Sequence, residues 1–116
     1  MSHLTTHVLD ATAGRPAPHV VVSLVRHLPG GGAEPIAQGS TDLDGRLALG
    51  PDVLDPGVYG ITFGTGAYFA DRGMPAFYPL VTVTFTVEDA GGPESPRHLH
   101  VPLLLSPFAY STYRGS

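Results

Sequence analysis

Apolar and β-branched residues return at every second position along much of this chain, in short runs cut off by glycine, proline or aspartate, and that period admits strands and little else. The clearest run is Leu80 to Val87, where Val81, Val83, Phe85 and Val87 alternate with Thr82, Thr84 and Thr86. Further strands are expected over Thr5 to Asp10, Val20 to His27, Ile36 to Thr41, Arg46 to Leu49, Gly57 to Phe63 and His98 to Leu105. Fifteen glycines and twelve prolines supply the punctuation. Asp44-Gly45 carries a hairpin signal between the third and fourth strands. Only Ala67 to Arg72, held between Gly66 and Gly73, has the composition of a helix, one or two turns long. The chain therefore reads as an all-β sandwich or barrel in one domain, residues 1–116, with no repeat and Tyr110 to Ser116 as a tail.

The mass of 12.1 kDa bounds what such a sandwich can bury. Surface scaling gives roughly 6,000 Å² folded against about 17,500 Å² unfolded, so one core forms and association has more to cover. The strand faces near Leu103, Leu105 and Phe108 are expected to be paired across subunits. With no cysteine there is no disulfide, thiol nucleophile or thiolate metal site. Net charge is −4, and the six basic residues are scattered arginines that cannot track a phosphate backbone, which argues against nucleic acid as a partner. The longest apolar run, Val101 to Leu105, is far too short to span a bilayer, and the first residues lack the pattern of a secretory signal, so a cytoplasmic location is expected.

Histidine is the abundant acid or base, with six copies. His98 and His100 stand two apart, which on a strand puts both rings on one face. Ordinary surface or interface histidines explain most such pairs, and a metal site would need a third ligand such as His7 or His3. His7 and Arg46 each read, taken singly, as solvated strand residues. Thr41 to Gly45 opens like a calcium loop, but Pro51 stands where the distal carboxylate belongs, so a turn is the simpler reading. The terminal Tyr113-Arg114-Gly115-Ser116 puts a phenol, a guanidinium and the chain carboxylate after the last core strand.

Taken together, Thr6-His-Val-Leu-Asp-Ala-Thr-Ala-Gly-Arg-Pro-Ala17, Asp44-Gly-Arg46, Ala76-Phe-Tyr-Pro79 with Val81-Thr-Val-Thr-Phe85, and His98-Leu-His-Val-Pro-Leu-Leu-Leu-Ser-Pro107 closing on Tyr-Arg-Gly-Ser116 resemble the transthyretin-like 5-hydroxyisourate hydrolases. The resemblance runs in register over nearly the whole chain, and its terminal Tyr-Arg-Gly-Ser separates the enzymes from the hormone-carrying transthyretins. It implies a two-sheet β-sandwich with one short helix, assembled as a homotetramer, a dimer of dimers with active sites in the central channel. It also implies hydrolysis of 5-hydroxyisourate to 2-oxo-4-hydroxy-4-carboxy-5-ureidoimidazoline by opening a ring amide, without metal or organic cofactor.

Carried over position by position, the resemblance assigns catalytic roles to His7, Arg46, His100 and Ser116, and substrate contacts to His7, Arg46, Tyr113, Arg114 and Gly115. In the hormone carriers the positions of His7, Arg46 and His100 hold lysine, glutamate and threonine. One departure is Leu80, where the family usually has an acidic residue, and another is a long segment from Asp89 to Arg97, expected to be exposed. Imidazoles and a guanidinium suit the reaction: the former can take a proton from water, the latter can hold a planar anionic substrate through its forked donors. Two other readings stay open, a non-catalytic small-ligand carrier and a metal site on His98 and His100.

Overall fold

The computed structural model describes residues 2–88 and 98–115; the Asp89 to Arg97 segment and Ser116 lie outside the described residues. Nine strands and one helix follow in the order β1 (Leu4–Asp10), β2 (Arg15–Pro16), β3 (Val21–His27), β4 (Ala33–Ser40), β5 (Arg46–Leu49), β6 (Gly57–Phe63), α1 (Thr65–Asp71), β7 (Val81–Val87), β8 (Leu99–Ser106) and β9 (Ala109–Thr112). They form two sheets. One has the order β2-β1-β8-β9 with β5 also on β1, and the other has the order β4-β3-β6-β7. The fold is thus an all-β, two-sheet sandwich with a single short helix, as expected.

Strand β1 organises the first sheet. Its first half, Leu4 to His7, takes β5 antiparallel on one edge, and Leu9–Asp10 takes β2 on that same edge. The other edge pairs in parallel with β8 along its whole length, Leu4 opposite Leu99 and Asp10 opposite Leu105. Alternation does the sorting: Leu4, Thr6, Val8 and Asp10 are buried, while Thr5, His7 and Leu9 are half-buried on the other face. The inward residues of β1 and β8 meet Val22, Leu24, Tyr59, Ile61, Phe63 and Val81 of the second sheet in one apolar cluster. At about 25 cal/mol per Å² of apolar surface, burial of this cluster supplies the main drive to fold.

Two buried polar groups show how the sandwich keeps its interior satisfied. Asp10 accepts from the Thr12 and Ala13 amides at 2.9 and 3.0 Å through Oδ1. Its Oδ2 accepts from the Tyr68 hydroxyl at 2.8 Å, tying α1 to β1. Burial and the Asp10 carboxylate push the Tyr68 phenol up to about 12. The helix itself begins after Gly64 without a side-chain cap and stops at Gly73, whose φ of 69° places it in the left-handed region usual after a helix.

Three expectations are corrected. Asp44-Gly45 does make a tight turn, with the Gly45 amide donating to the Asp42 carbonyl at 2.9 Å, but it joins the two sheets and is not a hairpin within one. After the turn β5 pairs with β1, and Gly45 sits so close to β1 that a Cβ there would strike the Val8 carbonyl. The tail is strand as far as Thr112: β9 folds back antiparallel on β8, with Ser106 opposite Ala109 across Pro107-Phe108. Because the β8 period faces Leu103 and Leu105 inward, they are core residues of the single chain and not free to pair across subunits; Phe108 stays exposed.

Candidate active site

The outward face of the first sheet carries the chemistry. Register sets Thr5 beside His100 on β8 and beside Ala48 on β5, and sets His7 beside Arg46. His98 precedes β8 and turns its ring to the same place, its centroid 6.2 Å from that of His100. Thr5, Thr6, Ser40, Asp42, Arg46, Leu47, Ala48, His98 and His100 line an open pocket of about 540 Å³.

Each polar side chain is held from a strand or a turn. Asp42 Oδ1 accepts from the Asp44 and Arg46 amides, both at 2.9 Å, which fixes the turn that delivers Arg46. The His7 Nε2 sits 2.9 Å from the Asp44 carbonyl oxygen. A carbonyl has no hydrogen, so Nε2–H donates and the neutral ring keeps its lone pair on Nδ1. His100 Nδ1 and His98 Nε2 each lie 2.8 Å from the same Thr5 hydroxyl. Burial, and after it the positive charge that His98, His7 and Arg46 bring near, holds the His100 imidazole below the ordinary histidine value, so it is neutral at neutral pH.

The tail reaches this cluster. The Gly115 amide donates to the His100 carbonyl at 2.8 Å. Its Cα lies so close to the imidazole that any Cβ would meet His100 Cδ2. Tyr113 and Arg114 line a second cavity of about 240 Å³ with Val83, Phe85, Leu99 and His100, so His100 forms the wall between two spaces. Of the residues singled out in the sequence, His7, Arg46, His98, His100 and Gly115 come together, Tyr113 and Arg114 flank them, and Ser116 lies outside the described residues.

The chain and its sandwich have counterparts among known proteins. A family model described as HIUase/Transthyretin family matches residues 4–115. The chain belongs to that family. The 5-hydroxyisourate hydrolase of Ralstonia nicotianae is 42% identical over all of both chains. That of Mus musculus is also 42% identical, over 99% of this chain and 96% of the relative. Among solved structures, Klebsiella pneumoniae 5-hydroxyisourate hydrolase superposes with a TM-score of 0.83 at 38% identity over 100% of both chains. The transthyretin from Sparus aurata gives a TM-score of 0.88 at 32% identity over 99% of this chain and 97% of that one. Backbone shape thus places hydrolase and transthyretin side by side, and the side chains on the outward face must distinguish them.

Three other features of the site bear on its chemistry. Thr5 was absent from the sequence-based candidates, although its place two residues before His7 on an alternating strand put it on the same face. His3, a possible third metal ligand, is buried and its Nδ1 accepts from the Leu54 amide at 2.9 Å. Among the described residues no three histidine, aspartate or glutamate side chains gather as a metal cage.

Proposed function

We propose that this chain is a 5-hydroxyisourate hydrolase, a cyclic amide hydrolase of urate breakdown. The observation that supports it most is the arrangement of His7 beside Arg46 and one strand from His100, with Arg46 and His100 lining a pocket large enough for a bicyclic purine-like substrate. Arg46 holds the planar anion with its forked donors. His100, kept neutral by burial, takes a proton from water while the water oxygen bonds to the ring carbonyl carbon. As the C–N bond of the ring amide breaks, that carbon becomes a carboxylate and the nitrogen takes a proton. The negative oxygen of the intermediate is met by Arg46, and His7 shares in holding the water through its free Nδ1. Tyr113, Arg114 and Gly115 wall the substrate against His100.

The active assembly in this reading is a cytoplasmic homotetramer, a dimer of dimers whose first sheets face each other. Facing sheets would cap the open pocket, exclude bulk water and strengthen every charge interaction within it. Among the described residues, no helix is long and apolar enough to cross a membrane. Sedimentation of the dilute protein tests the assembly: a tetramer supports it, and an active monomer overturns the channel.

The activity is tested by generating 5-hydroxyisourate in place with urate oxidase and following its absorbance. A catalytic amount of the chain is expected to accelerate the decay well beyond the spontaneous rate. Decay at the spontaneous rate would leave the carrier reading instead, for which the transthyretin-like backbone is the supporting observation.

A further inference from the structure

Thr5 Oγ1 lies 2.8 Å from His98 Nε2 and 2.8 Å from His100 Nδ1, and these rings are its hydrogen-bond partners among the described residues. The hydroxyl owns one hydrogen, so it can donate to one ring while the other ring donates N–H to the oxygen. With both rings neutral, this gives two arrangements. In the first, His100 Nδ1–H donates to Thr5 and Thr5 donates to His98 Nε2, so both rings carry their proton on Nδ1 and His100 Nε2 is bare. In the second, both bonds are reversed and both rings carry their proton on Nε2. Two hops along the hydrogen bonds reverse both bonds without moving a ring, and they leave His100 neutral only if its Nε2 has first taken a proton, the second ring then carrying two. The outer histidine is exposed and the inner one half-buried, with Arg46 lining the same pocket, so a positive charge is better solvated on His98.

We propose that Thr5 is a relay residue, its hydroxyl passing a proton between His100 and His98 during turnover, so that the outer ring carries the charge while the inner ring works on the substrate. This deepens the hydrolase reading and rests on it. In the forward step His100 Nε2 takes a proton from the attacking water, Nδ1–H passes to Thr5 Oγ1, and the hydroxyl proton moves to His98 Nε2. His98 is then the cation, and His100 is neutral with its proton on Nε2. When the ring C–N bond breaks, His100 Nε2 gives that proton to the departing nitrogen. His98 returns its proton to Thr5, the Thr5 hydroxyl proton goes back to His100 Nδ1, and the starting state is restored. No proton is gained or lost over the cycle beyond those of the water. Thr5 is a positioning residue in this scheme, acting through the two imidazoles.

The test compares wild type with Thr5→Val, Thr5→Ser, His98→Asn and the Thr5→Val/His98→Asn double variant on 5-hydroxyisourate made by urate oxidase. Thr5→Val and His98→Asn should each lower kcat about tenfold with KM little changed, less than the about 10²-fold typical of losing the acid or base itself. Thr5→Ser keeps the hydroxyl and should stay near the wild-type rate. The double variant should be no slower than the slower single variant, because both substitutions break one path. A wild-type rate in Thr5→Val, or a double variant slowed by the product of the two single effects, overturns the relay. Ring ¹⁵N shifts of the resting protein give an answer independent of activity: the relay expects His98 and His100 in the same tautomer, coupled in wild type and uncoupled in Thr5→Val. Opposite tautomers in wild type overturn it. If wild type fails to hydrolyse 5-hydroxyisourate, the function is wrong, and the tautomers still decide whether Thr5 links the rings.

Discussion

His100 is constrained on three sides: Thr5 at Nδ1, the Gly115 backbone against Cδ2, and the Arg46 guanidinium across the pocket. Each constraint predicts something. His7→Asn and His100→Asn should each lower the rate by at least about 10²-fold, the scale of losing a positioned acid or base, with fold and assembly unchanged by circular dichroism and sedimentation. The pH profile follows from the direction of the shift. Because the folded His100 value is held below the ordinary ~6.5, the imidazole stays neutral into mildly acid solution and the acid limb of kcat/KM should fall below about pH 6.5. A limb at or above that pH would remove His100 as the base. Gly115→Ala would drive a methyl group into the His100 ring, so it should cost activity far more than stability, read as kcat against melting temperature.

At the scale of elements, the tie between α1 and β1 and the return of the tail are the two features with measurable weight. Tyr68→Phe removes the only side-chain donor that the described residues offer Asp10 Oδ2 and leaves a buried carboxylate oxygen short, which should lower stability by about 1–3 kcal/mol in urea unfolding while leaving kcat untouched. Removing Arg114 to Ser116 deletes the Gly115 amide bond to His100 and, among the described residues, no core side chain, so the melting temperature should hold while most activity is lost, about 10²–10³-fold. The strands on which these elements rest were legible wherever alternation was strong: β7 from its valine–threonine period, β6 from Tyr59, Ile61 and Phe63; α1 was legible from its helix formers and its stop before Gly73, although it begins at Thr65 and takes Gly66 inside. Less visible was β9, since Pro107-Phe108 is not a turn pair that announces a two-residue hairpin. Asp44-Gly45 specified a turn correctly, but turn chemistry is blind to which sheet receives the next strand. The His98–Thr5–His100 contact required the parallel register of β1 on β8, a pairing between residues more than ninety positions apart that no local pattern encodes.

For the whole molecule, backbone shape cannot decide function, because solved structures of a hydrolase and a transthyretin both match it across nearly the full chain. The decision rests on three side chains of one sheet face, His7, Arg46 and His100, where the resemblance expects lysine, glutamate and threonine in the hormone carriers. All three lie on the outward face, outside the buried core, so exchanging them together should leave the sandwich and its assembly standing. The most direct measurement is therefore the rate of 5-hydroxyisourate decay, made in place by urate oxidase, with wild type and with the His7→Lys/Arg46→Glu/His100→Thr triple variant at equal concentration. Wild type should speed the decay strongly, and the triple variant, still folded and of unchanged oligomeric state, should leave it at the spontaneous rate. A triple variant as fast as wild type, or a wild type with no effect on the decay, would contradict the account.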